Sequence, residues 1–211
     1  MRNFLLPESY VDHKLLTLLL KIIFKMLELN FSPFPEIKTE SLLLRRMTDT
    51  DAPEIWFLRS DETVMKYIDR EKPKSQEEAL AFINMVNANI DKNEAIMWAI
   101  ALKEDPNTLI GNIGFWRIIN QHYRSEIGYM LHPDFWGKGI MKEALQAAAD
   151  FGFNEMKLHS IEAHINPDNI ASGMLLEKAG FIREAYFKED FFFRGKFIDT
   201  AIYSLLTPNK V

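Results

Sequence analysis

The sequence predicts an α+β domain around a mixed, mostly antiparallel sheet flanked by about four helices, and three observations predict it. Over residues 126–152, EIGYMLHPDFWGKGIMKEALQAAADFG, the apolar period changes from two to about 3.6 across a glycine turn. Before it, residues 95–102, 109–119 and 123–131 read as three strands joined by short polar turns, an antiparallel meander. After it, residues 181–193 and 196–206 form a long aromatic-rich hairpin around Arg194-Gly195.

Residues 1–30 stand apart. The run LLTLLLKIIFKMLEL at 15–29 carries Lys21, Lys25 and Glu28 at helical spacing, which gives a broad apolar face and a narrow charged one. It is too short and too charged to span a membrane, and it lacks the small-residue cleavage site of a signal peptide. A helix on a membrane or partner surface, a helix folded onto the domain, and translated upstream sequence with a natural start at Met26 are the open readings. Residues 31–36, with Pro33 and Pro35, read as a linker, and the domain as residues 37–207.

The first strand is 40–47. Thr48-Asp49-Thr50-Asp51 offers N-cap residues to a helix over 52–59, with Pro53 in its first turn. Ser75 and Glu78 have capping-box spacing before a second helix reaching about Ile90, with Ala79, Phe82, Ile83, Val86 and Ile90 on one side. The meander follows, and Pro133 ends its last strand. A helix over 139–153 then leads to a strand at 159–166. A helix between two strands implies that they run parallel through a right-handed crossover. Asn166-Pro167-Asp168-Asn169 opens the last helix and Gly180-Phe181 closes it in Schellman fashion.

Composition removes several chemistries. With no cysteine among 211 residues, disulfides, thiolate metal sites and a thiol nucleophile are excluded, in keeping with a reducing, cytoplasmic setting. A net charge of −5 speaks against general nucleic-acid binding and favours a cationic substrate. No GxxxxGK[ST] motif occurs, so nucleotide hydrolysis has no support. His159 and His164 fall on opposite faces of one strand, and no metal is expected. Phe191, Phe192, Phe193, Trp56, Trp98 and Trp116 read as core.

The turn Trp136-Gly137-Lys138-Gly139 is either a plain strand-to-helix turn or an anion site, since the first N–H groups of the following helix are free and the dipole is positive there. Asn169 and Ser172 share one face of a first helical turn, as cap and packing residue or as site residues.

The run LHPDFWGKGIMKEAL (131–145), followed by INPDNIASGMLLEKAGF (165–181) and preceded by the opening TESLLLRRMTDTDA (39–52), resembles the GNAT N-acetyltransferases, in particular the branch with the ribosomal-protein alanine N-acetyltransferases. The resemblance implies a sheet splayed between the fourth and fifth strands of the order above, with acetyl-CoA in the opening. It implies that backbone N–H groups of Trp136, Gly137, Lys138, Gly139, Ile140 and Met141 take the pyrophosphate. Met130 and Leu131 would pair with the pantetheine arm as an added strand, Asn169 would contact that arm, and Ser172 would protonate the departing thiolate. Trp136 and Met141 depart from the family pattern [QR]-x-x-G-x-[GA], and Met141 is compatible with the site where its side chain points away from the phosphates.

Glu126 shares a strand face with Gly128 and Met130 at the mouth of that splay, which makes it the candidate general base; the alternative is a surface glutamate paired with Arg124 or a lysine. Backbone N–H groups around Met130 would stabilise the oxyanion. Direct transfer to a primary amine follows, with a protein N-terminal amine as the expected acceptor. A polyamine, aminoglycoside or amino acid acceptor, a non-catalytic acyl-CoA sensor, and a partner-binding module working through residues 1–30 are the rival functions. Asp199 and Tyr203 either line the acceptor pocket or form an interior polar pair. A monomer or homodimer is expected, without membrane or nucleic-acid partners.

Overall fold

The computed structural model describes residues 26–208. In chain order they form strands β1 (Ile37–Lys38) and β2 (Leu42–Arg45), helices α1 (Ala52–Ser60) and α2 (Gln76–Asp91), and strands β3 (Ile96–Leu102), β4 (Gly111–Ile119) and β5 (Arg124–Leu131). Helix α3 (Ile140–Asn154), strand β6 (Ser160–Ile165), helix α4 (Ile170–Lys178) and strands β7 (Ile182–Phe193) and β8 (Lys196–Leu206) complete the order. The eight strands make one sheet, β1-β2-β3-β4-β5-β6-β8-β7. Only β5–β6 is parallel. The predicted α+β order is thus present, with the short β1 added at the edge. The most apolar face of the long helix α3, with Ala144, Leu145 and Ala148, packs on one side of the sheet against Ile113, Phe115, Ile127 and Ile161. Helices α1 and α2 pack on the other through Ile55, Leu58, Ala79 and Ile83.

Local signals act largely as their chemistry dictates. Asp51, 1% exposed, accepts from the Arg45 guanidinium at 2.8 and 2.7 Å and from the Thr48 N–H at 2.8 Å. Helix α4 ends in a Schellman pair, Phe181 N–H to Leu176 O and Gly180 N–H to Glu177 O, both 3.0 Å. The capping box expected at Ser75 and Glu78 differs. Ser75 occupies the N-cap of α2 without a side-chain cap bond, and the Glu78 carboxylate accepts from the Lys74 N–H at 2.9 Å instead.

Residues 31–36, read from their prolines as a linker, are held on the domain. Phe31 is buried in the main core, its N–H donates to Asn93 Oδ1 at 2.7 Å, and the Trp98 indole donates to Pro35 O at 2.7 Å. An apolar residue beside each proline overrides the turn signal by burial. The expected helix over 15–29 lies mostly outside the described residues; 26–30 are not helical. Among the described residues no helix is long and apolar enough to cross a membrane.

The aromatic expectation holds for Trp98, fully buried, and fails for the hairpin. Phe191 and Phe192 are exposed on β7, and so is Trp56 on α1. Strand β7 is the sheet edge, and among the described residues nothing buries Phe191 and Phe192; a strand pattern cannot report whether its face has a partner layer.

Candidate functional site

Strand β5 pairs with β6 at only three positions, Arg124↔Ser160, Ser125↔Ile161 and Glu126↔Glu162. Strand β6 pairs with β8 along its whole length and follows β8 away, so the remaining edge of β5 opens. The splay therefore lies between the strands expected to part.

The ladder between β4 and β5 decides which backbone groups face the opening. His132 N–H donates to Ile110 O at 2.8 Å in the same register that pairs Asn112 with Met130. Alternation then turns the N–H and C=O of Met130 toward β4 and those of Ile127, Tyr129 and Leu131 toward the opening. The expectation that Met130 supplies these groups is corrected by one residue. The Leu131 carbonyl already accepts from the Trp136 indole at 2.8 Å, so Trp136 braces the end of the strand.

Side chains of β5 divide between two faces. Ile127 and Leu131 are buried against α3, and Tyr129 packs with them while its hydroxyl meets Ser172 Oγ of α4 at 2.7 Å. Burial pushes the Tyr129 phenol up to about 12, against the smaller opposing effect of that hydrogen bond. It is a neutral hydroxyl at physiological pH. On the other face, Met130 packs toward the α1–α2 cluster, and Glu126 is the last residue before the splay.

Glu126 is not a surface glutamate paired with Arg124. It is 9% exposed and its carboxylate accepts from Arg117 at 2.9 Å, while Arg124 pairs with Glu162 at 3.0 Å. A register shift between Trp116 and Ile119 brings Arg117 there, in a left-handed conformation with φ +49°. Gly128 leaves room for the Trp116 ring, since a Cβ on it would lie 1.9 Å from Trp116 Cη2. Across the splay, His164 Nε2 stands 3.5 Å from Glu162 Oε2. Asn112 lies on the Met130 face, buried, with no partner for its Nδ2 among the described residues.

The glycine turn has the shape of an anion cradle. Gly137 and Gly139 have φ of +73° and +82°, and a Cβ on either would meet open space. Both are glycines because of backbone conformation rather than crowding. No side chain caps α3 at Gly139, so the first N–H groups, including those of Ile140 and Met141, face outward with the positive end of the dipole. Lys138 lies over the Phe135 ring at 5.4 Å. The Met141 side chain is buried in the core, directed away from this cradle.

At the start of α4 the Asn169 side chain accepts from the Ser172 N–H at 3.1 Å. It is an N-cap whose amide N–H₂ stays available. Asp199 and Tyr203 do not meet: Asp199 bonds Tyr186 and the Glu189 N–H, and Tyr203 reaches Glu177 at 3.4 Å. Among the described residues no group of metal-ligating side chains converges.

The sequence reading missed Tyr129, Arg117, Glu162 and His164. Alternation along β5 already put Tyr129 opposite Glu126, but its contact with Ser172 joins elements 43 positions apart.

Comparison with known proteins agrees with this geometry. Residues 41–182 match the family described as an acetyltransferase (GNAT) domain. The chain is 34% identical over 177 residues to the uncharacterized N-acetyltransferase YoaA of Bacillus subtilis (strain 168), covering 84% of this chain and 99% of that protein. It is 29% identical to the ribosomal protein uS5-alanine N-acetyltransferase of Escherichia coli (strain K12), covering 61% of this chain and 66% of that one. Among solved structures, a GNAT-family acetyltransferase from Bacillus anthracis superposes with a TM-score of 0.72 at 34% identity, covering 82% of this chain and 98% of that one. A spermidine N-acetyltransferase from Vibrio cholerae, in complex with CoA and spermine, superposes with a TM-score of 0.70 at 26% identity, covering 80% and 96%.

Proposed function

The chain belongs to the GNAT acetyltransferase family and is an acetyl-CoA-dependent N-acetyltransferase, and from that premise we propose that it acetylates a protein N-terminal amine by direct transfer, with Glu126 as base and Ser172 as acid. The observation that carries this reading is the position of the two side chains, on opposite faces of β5 where its pairing with β6 stops.

Acetyl-CoA fits the residues present. The uncapped N-terminus of α3 and the left-handed glycines 137 and 139 would hold the pyrophosphate, using N–H groups from Trp136 to Met141. The open edge of Tyr129 and Leu131 would receive the pantetheine arm in place of a strand, with the Asn169 amide beside it. Bound there, acetyl-CoA supplies the thioester.

Glu126 takes a proton from the acceptor ammonium or from the attacking amine, directly or through one water, as the amine nitrogen bonds to the acetyl carbon. The backbone N–H of Tyr129, the first past the β5–β6 pairing, would stabilise the charge that develops on the carbonyl oxygen, leaving the Leu131 N–H to the pantetheine arm. As the C–S bond breaks, its electron pair goes to the sulfur, and Ser172 passes a proton to it while taking one back from water entering the splay. Tyr129, held neutral by burial, donates to Ser172 Oγ and leaves the serine proton free to point outward. The thiol's ordinary pKa of ~8.5 makes this assistance modest.

A small-amine acceptor is the second reading, favoured by the similarity to the spermidine N-acetyltransferase. Calorimetric titration with acetyl-CoA, then free-thiol release with N-terminal peptides and small amines, tests both. Binding with thiol release for peptides supports the first reading. Release for polyamines alone supports the second, and tight binding without release for any acceptor overturns both in favour of a sensor.

A further inference from the structure

A cavity of about 360 Å³ lies between the segment before α2 and the tip of the β7–β8 hairpin. Five cations line it, Lys66, Arg70, Lys72, Arg194 and Lys196, against the single carboxylate of Asp69. Arg194 pairs with Glu71 at 2.8 Å, which ties the hairpin tip to the loop, and Lys72 is 3.8 Å from Glu62. Counting both of those glutamates, two positive charges remain in a chain whose net charge is −5.

The cavity is connected to the transfer site by stacked side chains. Arg70 lies over the Trp116 ring at 5.6 Å. That ring occupies the space left by Gly128, and Trp116 is the register partner of Glu126. One aromatic ring thus separates the cavity from the proposed base, on the face of β5 opposite Ser172.

Building on the N-terminal acetyltransferase reading above, we propose that this cavity is the acceptor subsite for an acidic segment: the residues that follow the acetylated amine carry carboxylates. The local field is the reverse of what the net charge suggests. Charges on a protein surface are screened within a Debye length of ~8 Å at physiological salt, so the cluster governs what enters while the rest of the chain does not. A polyamine would bring like charges against Lys66, Arg70 and Lys196, which have no carboxylate ion-pair partner among the described residues. An amine followed by carboxylates would place its nitrogen toward Glu126 and its acidic groups on Arg70, Lys72 and Lys196. Arg70, already stacked on an aromatic face, keeps its planar edge for bidentate contact.

The test compares three peptides with the same first residue, continued by Asp-Glu, Ala-Ala or Lys-Arg, together with spermidine, on the full chain. Binding is read by fluorescence anisotropy in the presence of CoA, and transfer by thiol release with acetyl-CoA. The acidic peptide should bind about tenfold more tightly than the basic one at low salt, and the gap should narrow as salt rises. The double variant Lys72→Glu/Lys196→Glu should invert the order, an outcome that a loss of folding cannot mimic. Equal binding of acidic and basic peptides, or preference for the basic peptide or spermidine, overturns the subsite. Selective binding of the acidic peptide with no thiol release from any acceptor upholds the subsite and overturns the transferase reading on which acceptor chemistry rests.

Discussion

The two faces of β5 are built to opposite rules although they alternate residue by residue. Toward α3 and α4 the strand presents Ile127, Tyr129 and Leu131, and the Tyr129 hydroxyl is satisfied by Ser172. Toward α1 and α2 it presents Glu126, Gly128 and Met130, and around them stand Arg117, Trp116 and Arg70. The first face is closed and neutral; the second is charged, and Arg70, which lines the cavity, lies over its Trp116 ring. In the proposed mechanism this contrast lets one strand serve both halves of an acyl transfer. A carboxylate base needs polar partners and access to the acceptor amine, whereas a neutral hydroxyl that assists a departing sulfur can sit in a closed, apolar place.

The hardest way to break this comparison is Glu126→Gln. Removing the proposed base while keeping the shape should lower kcat by about 10²–10³-fold. Calorimetry should give an acetyl-CoA Kd within about twofold of the parent's, since the cradle lies at the other end of β5. A comparable loss of acetyl-CoA affinity would show that the faces are not separable.

Gly128→Ala acts on the charged face without touching a charge. The added Cβ cannot coexist with Trp116 in its present position, so the ring and Arg70 must shift. The acceptor KM should rise about tenfold, and tryptophan fluorescence should report the displaced ring.

Tyr129→Phe probes the closed face. We expect kcat to fall about tenfold, and Ser172→Ala combined with it to add little, because the two hydroxyls act as a unit. The same variant sharpens the comparison through stability. The folded-state phenol lies at about 12, above its ordinary 10.0, so its contribution is complete below pH 10 and is lost as pH rises through 12. Denaturant titrations between pH 9 and 12 should therefore show a loss of roughly 2–3 kcal/mol in the parent that is missing from the phenylalanine variant.

The smallest effect belongs to the cradle. Gly139→Ala forces a side chain into a left-handed backbone at φ +82°, at a cost of about 1 kcal/mol, while its Cβ meets nothing. The acetyl-CoA Kd should rise about fivefold and the acceptor KM should stay near the parent value.

Much of the fold was legible because its signals are local. The change of period across Gly137 and Gly139, the cap residues from Thr48 to Asp51 and the Gly180-Phe181 ending all act within one turn of the chain. Misreadings share a different cause. Ser75 and Glu78 have box spacing, yet the carboxylate found the Lys74 N–H instead. Phe191 and Phe192 have a strand pattern, yet only the tertiary structure reveals that no layer of the described residues covers them.

The sequence by itself determined the α+β order, the parallel crossover, the glycine turn and the placing of Glu126 and Tyr129 on opposite faces, because period and turn chemistry are properties of neighbours along the chain. Only the tertiary structure decided that Met130 turns its backbone to β4 while Leu131 faces the opening, because ladder alternation is set by a register with another strand. It also decided that Arg117 rather than Arg124 pairs with Glu126, and that cations from two distant segments share one cavity. Those partners meet through a bulge and a hairpin tip, where long-range geometry and not local propensity chooses the neighbour.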